Sequence, residues 1–239
     1  MTRKCILSRS LSALIGILSL LAAGEHDAHA GPVLDQSMVP PDPPTDFSGF
    51  GSVAFNQQRA QTFTVGITGV LTQVSVDLER FGTGAGNLVM EIRQTTLQGG
   101  VYFPVSNGFL LQTSVPATSV PAAPIVNAFT TFDLSVVGLQ VNAGDHLAIV
   151  LYAQGGSGYE FNWEGAINNP YPAGEAFERV IGNHEWVNES SFAQNYDLGF
   201  QTFVDSGPAA APEPSSLLLA SVSALGMLGF GWRRRRRTS

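Results

Sequence analysis

The residues able to do chemistry are few and scattered. Two histidines fall in the body of the chain, His146 and His184, and neither has a second ligand at a metal-binding spacing such as H-E-x-x-H. They read as solvent-facing or hydrogen-bonded residues. A His–carboxylate metal pair, with His184 beside Asn183 and Glu185, is the sharper alternative. Gly155-Gly156-Ser157-Gly158 lacks the G-x-S-x-G spacing and the strand–elbow–helix setting of a hydrolase nucleophile, and reads as a hairpin loop. Carboxylates crowd one stretch as Glu160, Glu164, Glu175, Glu178, Glu185 and Glu189. Two of them at ~5–10 Å would suffice for glycoside hydrolysis, so a secreted carbohydrate-active enzyme is one function class. A solvated acidic rim is the other reading of the same residues, and no catalytic residue is assigned. Asp42, Asp46, Asp133, Asp145 and Asp197 could contribute to a Ca²⁺ site that staples loops, although no EF-hand loop is present. No other cofactor is expected.

Aromatic residues give the most suggestive cluster. Tyr152, Tyr159, Tyr171 and Tyr196, with Trp163 and Trp186, are interleaved with Asn162, Asn168, Asn169, Asn183, Asn188 and Asn195. Exposed rings stack on sugars while amides meet hydroxyls, which makes Trp186, Tyr171 and Tyr196 the candidate glycan-binding residues. The competing reading is that these rings close the core and its end. Trp163, in the alternation Tyr159-Phe161-Trp163, belongs to the core on either reading.

The elements that must position these groups have a period of two. Val74, Val76 and Leu78 alternate with Ser75, Asp77 and Glu79, and Leu88, Met90 and Ile92 with Val89, Glu91 and Arg93. Phe132 and Leu134 alternate with Thr131 and Asp133, and Leu198, Phe200, Thr202 and Val204 form the last strand. His146 to Ala153 is more continuously apolar, as a central, doubly covered strand would be. Gly82-Thr83-Gly84, Gly99-Gly100, Asn142-Ala143-Gly144-Asp145, Gly155-Gly156, Asn168-Asn169-Pro170 and Gly182-Asn183 mark turns. No long helical stripe and no internal repeat interrupt the pattern. The expected fold is all-β, an antiparallel jelly-roll-like β-sandwich over 47–205. Residues 31–46, with Pro32, Pro40, Pro41, Pro43 and Pro44, are expected to form an extended arm in which Val33 to Gln36 could add an edge strand, and 206–211 to form a linker.

Charge narrows the partners. The chain carries a formal net charge of −7, but the body from Gly31 to Ala211 holds four arginines against 16 carboxylates, a net charge of −12. Such a body repels nucleic acid and anionic surfaces, so no nucleic-acid partner is expected. Cys5 is the only cysteine and lies outside the body, which excludes thiol catalysis and disulfides there.

Both ends carry targeting patterns. Arg3, Lys4 and Arg9 precede the apolar stretch Leu11 to Ala23, and Ala28-His29-Ala30 follows as an A-x-A site. Residues 1–30 read as a signal peptide cut after Ala30, with Ala28 and Ala30 forming the signal peptidase site; export is through the general translocon. At the other end, Pro212-Glu213-Pro214 leads into an uncharged run from Ser215 to Trp232. As a helix this spans roughly 27 Å, close to the ~30 Å hydrocarbon core. Arg233, Arg234, Arg235, Arg236 and Arg237 then act as a membrane stop by the positive-inside bias. The plainest reading is a C-terminal transmembrane helix that leaves the body outside the cytosol.

The three parts in that order, Pro212-Glu213-Pro214-Ser215, apolar helix and arginine cluster, resemble the PEP-CTERM sorting signal of biofilm-forming bacteria, over residues 212–239. Ala211 stands where that family more often has Val. The resemblance implies recognition by an exosortase, with Glu213 as the recognition charge and cleavage near Pro212 to Pro214. Transfer from the inner membrane to the cell surface or the exopolysaccharide matrix would follow. In the body, Ala60-Gln61-Thr62-Phe63-Thr64-Val65-Gly66, Asn87-Leu88-Val89-Met90-Glu91-Ile92-Arg93, Leu139-Gln140-Val141-Asn142-Ala143-Gly144 and Gly199-Phe200-Gln201-Thr202-Phe203-Val204 resemble, in order and spacing, the choice-of-anchor extracellular domains. That resemblance implies a jelly-roll-like surface domain without established catalytic residues. The expected function is a non-enzymatic surface or matrix protein with a structural or glycan-binding sandwich. The alternatives are the carbohydrate-active enzyme and a permanently tail-anchored periplasmic protein.

Overall fold

Alternating side chains build two facing sheets. The computed structural model describes residues 31–41, 46–51, 57–81, 86–124, 128–155, 159–168, 170–180, 185–189 and 195–207, of which 46–51 and 159–160 are described as backbone only. All of them fall in one unit, Ala30–Gly207. The signal peptide with Ala28 and Ala30, the motif Pro212, Glu213 and Pro214, the apolar run and Arg233 to Arg237 lie outside the described residues. Among the described residues no helix is long and apolar enough to cross a membrane.

The strands in chain order begin with β1 (Val33–Met38), β2 (Asp46–Gly51), β3 (Gln57–Thr64), β4 (Gly69–Arg80) and β5 (Asn87–Gln98). β6 (Val101–Pro104), β7 (Leu111–Pro116), β8 (Phe129–Asp133), β9 (Leu139–Val141) and β10 (His146–Gln154) follow. β11 (Tyr159–Ala166), β12 (Ala176–Val180), β13 (Val187–Asn188), β14 (Asp197–Leu198) and β15 (Phe200–Asp205) complete the set. One sheet runs β1-β15-β4-β11-β14, with β2 on β11 and with β8 and β9 on β4. The other runs β13-β12-β3-β10-β5-β6, with β7 on β5. Every ladder between these strands is antiparallel. A 3₁₀ turn spans Ala117–Ser119. The all-β, two-sheet antiparallel expectation therefore holds for the body.

The inward sets read from the sequence meet between the sheets. Val74, Val76 and Leu78 of β4, with Trp163 of β11 and Phe200 of β15, pack in one cluster with Phe63 of β3, Ile149 of β10 and Met90 and Ile92 of β5. Each fully buried aliphatic or aromatic side chain contributes roughly 1.5–3 kcal/mol. β10 is central in its sheet, flanked by β3 and β5, and Leu147 to Leu151 are all buried, as its unbroken apolar run implies.

Two features depart from the simplest reading. Residues 31–46 are not merely an arm: β1 is a full edge strand on β15, with Val33 opposite Val204 and Met38 opposite Phe200. The last strand is also divided. Asp197 and Leu198 pair with β11, whereas Phe200 to Asp205 pair with β4, and the change of partner falls at Gly199. Here Gly199 N donates to Glu164 O, and Gly199 O accepts from Asp77 N and from the Trp163 indole at 2.8 Å. A Cβ on Gly199 would lie 2.8 Å from both Asp77 Cβ and Pro40 Cδ.

The opposite face of the β3–β10 sheet carries a second, smaller core. Ala60, Ala148, Val150, Phe177 and Trp186 form it, with Val101 and Phe103 of β6 packed against them. The β5–β6 hairpin is laid over this face, with Phe103 tilted on Phe177 at 5.0 Å. Gly199→Ala is expected to cost about 1–3 kcal/mol through overpacking at the partner switch, seen as a lower urea midpoint with unchanged slope. A midpoint equal to the parent's would show that the junction is slack.

Candidate functional site

A cleft opens where the β5–β6 hairpin faces the segment between Tyr171 and β12. β3 ends and β10 begins side by side, with His146 in register with Thr64. Hydrogen bonds lay the Tyr171–Glu175 segment on β3: Thr62 N donates to Glu175 O at 3.0 Å, Glu175 N to Thr62 Oγ1 at 2.9 Å, Thr64 Oγ1 to Ala173 O at 3.1 Å, and Thr64 N to the Tyr171 hydroxyl at 3.3 Å. The approach is so close that a Cβ on Gly174 would fall 1.9 Å from Thr62 O, so only glycine fits there. On the opposite wall, Gly99 and Gly100 take φ of 60° and 90°, the left-handed pair of a tight hairpin turn. That turn carries Val101 and Tyr102 to the cleft. The volume is about 200 Å³, less than the ~300–1,000 Å³ of most small-molecule pockets.

Tyr102 stacks on His146 with ring centroids 3.6 Å apart and planes 13° from parallel. The imidazole is held further by Thr64 Oγ1 at 3.0 Å from Nδ1, and its backbone carbonyl accepts from Thr95 Oγ1. Thr64 has one hydroxyl proton, and a carbonyl can only accept, so that proton goes to Ala173 O. Toward the ring, Thr64 Oγ1 then accepts. Nδ1 then carries a hydrogen, and in the neutral ring Nε2 is the acceptor nitrogen.

Behind the cleft is a buried polar junction. Gln61 of β3 donates from Nε2 to Asp197 Oδ1 at 3.0 Å and accepts at Oε1 from Leu198 N at 2.7 Å. Asp197 Oδ2 accepts from Tyr171 N at 3.0 Å, and the Tyr171 hydroxyl donates to Gln36 at 2.9 Å. Burial pushes the Asp197 carboxyl up to about 7, against the hydrogen bonds from Tyr171 and Gln61 and with help from the charge of Glu175. Burial likewise raises Asp77 to about 6.

The three residues expected on a glycan-binding rim are buried instead. Trp186, Tyr171 and Tyr196 are each only 7% exposed, so their faces are not open to a sugar. The Trp186 indole lies beneath the Arg179 guanidinium at 4.6 Å, within the second core. The Tyr171 ring meets Phe200 edge-on at 5.1 Å. Tyr196 covers Gly165, where an added Cβ would come within 2.8 Å of its ring. These rings close the core and its faces, and Trp163 is fully buried as expected.

Of the carboxylates, Glu178 and Glu189 both pair with Arg59, the latter at 2.8 Å, and Glu164 is buried. Only Glu175 of that group is among the residues described as lining the cleft. Among the described residues no group of three His, Cys, Asp or Glu side chains could hold a metal ion. Asp133 receives Ser135 N, Asp145 receives Asn142 N, and Asp197 serves the junction. His184 and Asp42 lie outside the described residues, and Asp46 and Glu160 are described only as backbone.

Tyr102 was the tyrosine outside the aromatic cluster, and the Gly99-Gly100 turn three residues earlier was the signal that it stood on a hairpin tip. No protein-family model matches the chain. No curated protein is similar enough to count as a relative. The site is therefore argued from its own geometry.

The folded state holds the Asp197 proton more tightly than the unfolded chain. Its stabilising contribution is fully present below ~pH 4 and is lost as the pH rises to about 7. Asp197→Asn cannot ionise, but its amide N–H meets a donor at Gln61 Nε2 or Tyr171 N, so it is expected to start below the parent at about pH 3 and to gain in urea midpoint relative to the parent as the pH rises from about 4 to about 7. Parallel pH profiles for the two proteins would remove Asp197 as the group responsible.

Proposed function

We propose that the chain is an exported protein of the cell surface or exopolysaccharide matrix, sorted by an exosortase through residues 212–239. Its body is a non-catalytic, jelly-roll-like sandwich with a structural or glycan-binding role. The observation that carries the reading is the tail: Pro212-Glu213-Pro214, an uncharged run long enough for a bilayer, and Arg233 to Arg237 in immediate succession. The first keeps a backbone segment extended for a peptidase, the second parks the chain in lipid, and the third stops translocation. The signal peptide pattern at 1–30 supplies the route out of the cytosol.

The body suits that destination. It has no cysteine and gains its stability from two sheets and two apolar clusters, so it needs no oxidising step after export. Four arginines against 16 carboxylates keep it soluble and away from anionic lipid and nucleic acid. The cleft beside Tyr102 and His146 offers a recess of mixed polar and apolar lining, of the size that a sugar ring occupies.

Mass spectrometry of the mature protein, recovered from surface and matrix fractions, tests the sorting. The expected C-terminus lies between Ala211 and Ser215, and replacing Glu213 by Gln is expected to leave the chain in the inner membrane. Recovery of an intact chain ending beyond Arg237 in the membrane fraction alone would establish the permanent anchor instead.

A further inference from the structure

We infer that the cleft between the β5–β6 hairpin and the Tyr171–Glu175 segment binds one terminal ring of a neutral carbohydrate. This deepens the glycan-binding part of the proposed function and rests on that reading. The volume of about 200 Å³ admits a single pyranose ring and not two. The walls are built, not incidental: Gly174 permits the close approach of one, and the paired left-handed glycines of the hairpin turn form the other.

The hydrogen-bonding character of the cleft selects the ligand class. The hydroxyls of Thr62 and Thr64 are used within the protein, on Glu175, Ala173 and His146, so they shape the floor and do not read a ligand. His146 lines the cleft with its ring fixed by Tyr102 on one face and by Thr64 at Nδ1, and in the neutral ring its other nitrogen, Nε2, is an acceptor. Glu175 contributes a carboxylate, which accepts only. Val101 and Pro172 add apolar surface against which the C–H face of a sugar packs.

Among the described lining residues there is no lysine or arginine. A uronate, sulfate or phosphate would bring acceptors to acceptors, in a body of net charge −12. A ligand rich in neutral hydroxyl donors fits, and a neutral hexose is the ligand of that kind with an apolar face. An organic ammonium ion is the competitor, since a carboxylate also attracts it.

Titration of the exported protein with the methyl glycosides of glucose, galactose and mannose tests the assignment, read from the ring C–H resonances of His146. Methyl glucuronide and methylammonium serve as the anionic and cationic probes. At least one neutral glycoside is expected to shift those resonances saturably, with neither charged probe doing so. Tyr102→Ala and Glu175→Gln are each expected to weaken binding by about tenfold or more, while Tyr102→Phe retains the stack and most of the affinity. Tighter binding of either charged probe, no saturable response to any neutral glycoside, or affinity indifferent to Tyr102 and Glu175 in folded variants would overturn the inference. The C-terminus is determined on the same preparations. Correct processing without sugar binding refutes the cleft alone, whereas sugar binding by an unprocessed chain refutes the sorting alone.

Discussion

The two sheets are tied at one end by a single buried amide. Gln61 lies on β3 with no exposed surface, and its carboxamide presents a donor and an acceptor to residues 197 and 198 as a neighbouring strand would. This is one rung of backbone-like pairing made by a side chain across the sandwich. The other oxygen of Asp197 then fixes Tyr171, Tyr171 reaches Gln36 on β1, and the segment up to Glu175 settles onto β3. The cleft wall is thus the far end of a chain of polar contacts that starts in the core. In a low-dielectric setting each member left unpaired costs about 1–3 kcal/mol, so the network holds together as a set.

The strands were legible because a half-buried sheet writes its period into the chain. β8 shows it in its burial, β4 and β5 show it in residue type although their polar members Ser75, Asp77, Glu91 and Arg93 are buried too, and β10 shows the unbroken apolar run of a strand covered on both faces. β1 was harder to read because prolines bracket it. An edge strand bonded on one side tolerates such flanks, and among the described residues β1 pairs with β15 alone. The partner switch at Gly199 was not legible, since Leu198, Phe200 and Thr202 alternate as one strand would. Which neighbour a strand meets depends on residues more than 30 positions away in β11 and more than 100 away in β4.

The site was less legible than the fold, for the same physical reason. Trp186, Tyr171 and Tyr196 stood near loops and suggested open rings. Each is covered by a group from elsewhere in the chain: Arg179 over Trp186, Phe200 and Gln36 against Tyr171, Gly165 under Tyr196. The few cations are similarly committed. Arg93 binds Glu91 and the carbonyls of Val105 and Ser106, Arg179 binds Gln58 and Ser106, and Arg59 holds Glu178 and Glu189. Positive charge is spent on fastening the hairpin and the edge of the sheet, which leaves the exterior to carboxylates. Tyr102 and His146 meet because β6 folds back over β10, a relation that no local pattern records.

The pairing of Val33 with Val204 sets an order on assembly. On the proposed export route, the first strand to emerge from a translocation pore would find its neighbour only in the last one. Until residue 205 has passed, β1 has nothing to bond and a long edge of β4 stays open. A polypeptide threaded from its amino end would therefore hang incomplete, reactive toward other open edges, until its final segment clears the channel. A carboxyl-terminal brake that holds the chain at the membrane would retain it through that interval, giving the seam time to close before release.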